Sequence, residues 1–152
     1  MTIPVPHFQQ LTPYSCLPAC ARMVIAFLGH DHSEEELTRT FNTVPLLGTL
    51  PENMISGLEA MGYRVLWFEN ATIDRLRALL EHKWPIITLV QATDLPHGTA
   101  GLHAVVVIGM SEGEIAFLDP VLKDVMFMSL PNFERAWSNL GHQGIVIWHQ
   151  TE

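Results

Sequence analysis

The sequence predicts an α+β domain, with a helical N-terminal part packed on a mainly antiparallel sheet supplied by the C-terminal part. Three observations lead there. Apolar spacing of helical type dominates up to about residue 61, short β-branched or aromatic runs separated by turns dominate from residue 85 onward, and no repeat, low-complexity tract or linker-like shift divides the two. At 152 residues and 48% hydrophobic content, the chain fits one domain over 1–152, large enough to bury roughly two-thirds of its unfolded surface.

Residues 15–29 carry apolar side chains almost all round, with Arg22 the only charge and Gly29 placed to end a helix. This predicts a buried helix, and Pro18 in its first turn is tolerated because early helical N–H groups lack intrahelical partners. Ser33-Glu34-Glu35-Glu36 is a capping-box start for a short second helix, and residues 49–61, with Gly62 behind them, read as a third. A strand at 63–68 and a helix at 72–82 follow. Runs at 85–91, 103–109, 114–118, 125–128 and 144–149 read as strands, with a hairpin at Ser111-Glu112-Gly113 and a short helix between 129 and 139, where Pro131, Phe133 and Trp137 fall.

Acidic residues outnumber basic ones 16 to 8, giving a formal net charge of −8, and the basic residues are scattered singly. Nucleic acid and anionic membranes are therefore poor partners. The N-terminus lacks the basic start and apolar run of a secretory signal, and no apolar stretch reaches bilayer-spanning length. The expectation is a cytoplasmic protein without membrane insertion. Cys16 and Cys20 lie one helical turn apart, where a bridge would close no useful loop, so both are expected as thiols.

Cys16 falls at the start of the first helix, where unpaired N–H groups and the positive end of the dipole stabilise a thiolate. Cys20 falls mid-helix and reads as a small core residue. A thiolate nucleophile needs a base that takes and returns a proton, and imidazole suits the task. Of the eight histidines, His103 opens an otherwise apolar strand, a place that fits either a hydrogen-bonded core position or a functional rim. Asp119 ends the next strand, so in a pair joined at 111–113 the residues near 103 and 119 come within carboxylate–imidazole reach. The competing reading of Asp119-Pro120 is turn punctuation.

Gln10, on the loop ahead of Cys16, can donate its amide to a tetrahedral oxyanion together with the Cys16 N–H; neighbouring Gln9 is the competing choice. His30-Asp31-His32 is only a fragment of a zinc site, and a solvated loop explains it. No metal and no cofactor are expected. His97 falls in a glycine-flanked loop that can lie beside the cleft, and His7, His82, His142 and His149 have no informative context.

Val5-Pro6-His7-Phe8-Gln9-Gln10, Tyr14-Ser15-Cys16-Leu17-Pro18-Ala19, Leu102-His103-Ala104-Val105-Val106-Val107-Ile108-Gly109 and Phe117-Leu118-Asp119-Pro120 together resemble the bacteriocin-processing cysteine peptidases that trim double-glycine leaders, and their stand-alone relatives. The likeness spans nearly the whole chain in order and spacing. It implies a papain-like fold, a peptide or leader-peptide substrate, and an acyl-enzyme mechanism with Cys16 as nucleophile, His103 as base, Asp119 as its orienting acid and Gln10 in the oxyanion hole. The family usually carries glycine after the nucleophile, and a bulky Leu17 in that place can narrow the cleft or alter the approach of substrate. The same four residues serve an acyltransferase or transpeptidase equally well, and a non-catalytic leader-binding module is the third reading. Oligomeric state is not written in the sequence.

Overall fold

The structure is a computed structural model that describes residues 2–96, 98 and 101–149; His97 lies outside the described residues. Helix α1 spans Cys16–Phe27, α2 Glu34–Thr40 and α3 Pro51–Ala60, followed by strand β1, Tyr63–Phe68, and helix α4, Ile73–Glu81. Strand β2, Ile86–Gln91, runs into a single 3-10 turn, Ala92–Asp94. Strands β3, Leu102–Ser111, β4, Glu114–Leu118, and β5, Met126–Ser129, come next, then α5, Leu130–Ser138, and β6, Gly144–His149.

The predicted elements form, with shifts at their ends that local chemistry explains. The third helix starts at Pro51, two residues later than its apolar pattern suggests, because proline suits the first helical position, where its missing N–H costs nothing. Thr72 and Ser129 are left just outside α4 and α5 as side-chain caps that accept the N–H groups of Arg75 and Asn132. At the end of α1, Gly29 takes φ +96°, which lets its N–H reach Ala26 O at 3.0 Å while His30 N–H reaches Ile25 O at 3.1 Å.

All six strands join one sheet in the order β1-β6-β2-β3-β4-β5, every pairing antiparallel. The sequence order of helices before strands hides one feature of this topology: β6, last in the chain, inserts between β1 and β2. Strand β3 is buried from His103 to Gly109, so both its faces are covered, and α1 is among the helices packed on it. That helix buries Leu17, Met23, Val24 and Ile25 essentially completely, each worth roughly 1.5–3 kcal/mol against exposure. It is thereby held rigidly against the strand that carries His103.

One irregularity positions the site. Pairing of β3 with β4 runs from Ser111↔Glu114 to Gly109↔Ala116, then shifts so that Val107 faces Phe117 and Val106 faces Leu118, leaving Ile108 as an extra residue. Continued one step, the shifted ladder sets Asp119 opposite Val105, on the same face as His103. An unbulged ladder would set Asp119 opposite Val106, on the other face, because side chains alternate along a strand. The Ile108 carbonyl accepts the N–H of Ile3 at 2.8 Å, tying the N-terminal segment to this bulge.

Candidate active site

The N-terminal segment runs from that anchor to the turn after β4. There the Gln10 N–H donates to Pro120 O at 2.7 Å, His7 Nε2 hydrogen-bonds the Asp119 carbonyl oxygen at 2.9 Å, and Gln9 Nε2 donates to Val121 O at 3.2 Å. Gln10 and the loop that follows it are thus laid beside Asp119. The chain then enters α1 through Ser15, placing Cys16 at the first helical position.

His103 stands opposite Val90 in the β2–β3 ladder and is 9% exposed, while Asp119 is fully buried. Their side chains share a hydrogen bond of 2.7 Å between His103 Nε2 and Asp119 Oδ1. A buried carboxylate facing Nε2 holds the proton there, which leaves Nδ1 of the neutral ring as the acceptor. The Cys16 side chain lies near enough to the same imidazole to favour its charged form. Burial opposes charging of this ring, but the hydrogen bond to Asp119, the nearby Cys16 sulfur and the charges of both outweigh it and raise His103 from 6.5 to about 9.

Asp119 Oδ1 also accepts the Val121 N–H at 2.8 Å. The turn reading and the histidine-orienting reading of Asp119-Pro120 therefore hold together, through one oxygen. Cys16 is half-buried and Cys20 completely buried. Burial, reinforced by the negative charges of Cys16, Asp119 and Glu34, pushes the Cys20 thiol well above the ordinary range.

Gln10 and Gln9 part company. Gln9 is exposed, whereas Gln10 is half-buried, with Nε2 donating to Thr12 O at 2.6 Å and Oε1 enclosed without a hydrogen-bond partner among the described residues. A flipped amide would set oxygen against oxygen at Thr12, so the amide is held nitrogen-first and its second N–H remains to be donated. A cleft of about 420 Å³ opens between residues 9–13 and Pro120–Val121, with Cys16 and His103 outside its lining.

Leu17 does not narrow that approach. It is 1% exposed and packs in the apolar core, because the helix turns the side chain after Cys16 into the protein. The His30-Asp31-His32 loop is also tied up locally: His30 Nδ1 shares a hydrogen bond of 2.8 Å with the Tyr63 hydroxyl, and His32 Nδ1 lies 3.1 Å from Glu36 Oε2. Two residues at the site escaped the sequence reading. His7 touches the Asp119 carbonyl, and Glu34, read only as a helix-start residue, is 2% exposed and binds the loop ahead of Cys16.

The model of the Peptidase_C39 like family matches residues 2–145. Among solved structures, a C39-like peptidase from Bacillus anthracis superposes with a TM-score of 0.81 at 16% identity, covering 99% of this chain and 98% of that one. The peptidase domain of Streptococcus ComA, a bifunctional ABC transporter involved in a quorum-sensing pathway, gives 0.76 at 21% identity over 94% and 97%. A double-glycine motif protease from an AMS/PCAT transporter, solved in complex with the leader peptide, gives 0.73 at 17% over 96% and 92%. These likenesses establish the papain-like fold. No curated protein sequence matches the chain. Among the described residues no helix is long and apolar enough to cross a membrane.

Proposed function

The chain belongs to the Peptidase_C39 like family, and from that premise we propose that it is a cysteine peptidase, acting as one domain through Cys16, His103 and Asp119, with Gln10 completing an oxyanion hole. The observation that carries this reading is the buried His103–Asp119 pair at 2.7 Å, with Cys16 at the start of the helix packed against the strand that bears His103. That is the line of sulfur, ring and carboxylate that thiol acyl transfer needs.

In the proposed cycle the Cys16 thiolate adds to the scissile carbonyl carbon, and the carbonyl π pair moves onto oxygen. The Cys16 N–H and the second N–H of the Gln10 amide stabilise that oxyanion. When the C–N bond breaks, the imidazolium of His103 gives its Nδ1 proton to the departing amine, leaving a thioester on Cys16. Water then loses a proton to His103 Nδ1 as it attacks the thioester, and the acid product leaves. Asp119 keeps the Nε2 proton in place throughout and stabilises the imidazolium.

The substrate assigned by this reading is an extended peptide, of the leader type seen with the AMS/PCAT protease, lying in the cleft beside Gln10. A reducing, cytoplasmic setting, in which Cys16 stays a thiol, goes with it. The test is incubation of the purified protein with a mixed peptide substrate, products being identified by mass. New carboxyl termini that vanish with Cys16→Ala support hydrolysis. Products joined to an added amine support transfer instead, and no covalent chemistry at Cys16 with any acyl donor contradicts the proposal.

A further inference from the structure

Glu34 is a carboxylate at 2% exposure whose Oε1 has no hydrogen-bond partner among the described residues. Its other oxygen, Oε2, accepts the Leu11 N–H at 2.8 Å and the Ser15 hydroxyl at 2.9 Å. Removing a carboxylate from water costs several kcal/mol, and a buried ionic group can often be replaced by an apolar one of similar size without loss of stability. Fold stability therefore gives a weak account of a buried acid with half its acceptor capacity unused.

What Glu34 does hold is the segment between the two oxyanion donors. Ser15 Oγ, besides donating to Glu34, accepts from the Thr12 N–H at 3.1 Å and Thr12 Oγ1 at 2.8 Å, while Thr12 O takes the Gln10 amide. Residues 11–15 are thus clamped to α2 by one carboxylate, with Gln10 immediately before the clamp and Cys16 immediately after it. Ser15 also stands at the N-cap of α1 yet makes no side-chain bond to that helix, although a serine there ordinarily takes the N–H of the second or third helical residue. Pro18 at the third position has no N–H to offer, and Glu34 draws the hydroxyl the other way. The first-turn N–H groups beside the sulfur are thereby spared an internal cap.

We propose that Glu34 is a positioning residue that sets the oxyanion-stabilising donors, Gln10 Nε2–H and the Cys16 N–H, by fixing Leu11 and Ser15. This rests on the cysteine-peptidase reading and adds a residue to it. Glu34 acts on carbonyl chemistry and not on the sulfur itself, and two probes separate these. p-Nitrophenyl acetate acylates Cys16 through an oxyanion, the thiolate adding to the carbonyl and p-nitrophenolate leaving with the bonding pair. Iodoacetamide alkylates the same sulfur by displacing iodide from saturated carbon, and no oxyanion forms.

Glu34→Ala should slow acylation on the order of tenfold to a hundredfold, below the full loss of an oxyanion donor, while alkylation stays close to that of the parent protein. Glu34→Gln, whose carbonyl oxygen can take the same hydrogen bonds, should recover most of the acylation rate, and Glu34→Ala should cost less in a Gln10→Ala background than it does alone, the remainder acting through the Cys16 N–H. Should Glu34→Ala fail to fold, Ser15→Ala cuts the same tether with a smaller change and is expected to show the same selective loss. Acylation untouched by these variants, or a parallel fall in acylation and alkylation, overturns the positioning role. Wild-type protein that alkylates at Cys16 but cannot be acylated overturns the peptidase reading, and this inference with it.

Discussion

Cys16 and Cys20 stand one turn apart on α1, the first at the positive end of the helix and the second within it. A further difference lies in what each turn faces. The first turn meets the polar seam between the N-terminal segment and the end of β4, where His103 and Asp119 form a buried pair at 2.7 Å. The second turn faces the core, where Cys20 has no exposed surface and burial pushes its thiol up. On the proposed reading, the strand ends of β3 and β4 brought against the first turn add to its place at the helix start in setting Cys16 apart from Cys20.

The comparison breaks most visibly at Asp119. Asp119→Ala leaves His103 without the group that fixes its tautomer and supports its charge, and peptide cleavage should fall about 10²–10⁴-fold in kcat, the range of acid–base catalysis. Asp119→Asn keeps an acceptor for the Nε2 proton and should lose less. Steady-state kinetics of both variants, with circular dichroism to establish folding, checks the order.

A second effect follows from the proton on His103. Because the folded-state value lies near 9, above the ordinary 6.5, the imidazolium persists through neutral pH and is lost as pH rises through about 9. Cleavage should therefore decline on an alkaline limb near that pH, and Asp119→Ala should move the limb downward. The sign for stability is the same: the pair's contribution is fully present below pH 6.5 and disappears as pH rises through about 9. NMR titration of the His103 ring beside a pH–rate profile measures both.

The smallest effect is expected one turn along. Cys20→Ala removes a small buried side chain and should cost about 1 kcal/mol of stability, read by denaturant unfolding, with cleavage close to that of the parent. A large loss of activity in folded Cys20→Ala would erase the distinction between the two turns.

Much of this site could be read from residue types and spacing. Gly29, Pro18 and the apolar girth of residues 15–29 give a buried helix with Cys16 at its start, and the short loop at 111–113 gives a hairpin that brings 103 and 119 together. The register was subtler. A regular ladder would have put Asp119 on the wrong face, and the bulge at Ile108 that corrects it is signalled only by Gly109 inside a β-branched run, a glycine that marks irregular strands. Leu17 could be read as narrowing the cleft or altering the approach of substrate, and the helical turn buries it in the core instead. Glu34 could not be recognised, because acidic residues in a first helical turn are ordinarily solvated, and its burial depends on how α2 packs beside residues 11–15. The insertion of β6 between β1 and β2 is equally a matter of long-range pairing that local patterns do not encode.

Selective alkylation tests the central claim most directly. Folded protein is treated with limiting iodoacetamide at neutral pH for increasing times, quenched, digested and mapped by mass, in parallel with His103→Ala. An assembled sulfur, ring and carboxylate predicts early, near-exclusive labelling of Cys16, slowed when the ring is removed. Equal and slow labelling of Cys16 and Cys20, or Cys16 labelling indifferent to His103, contradicts it.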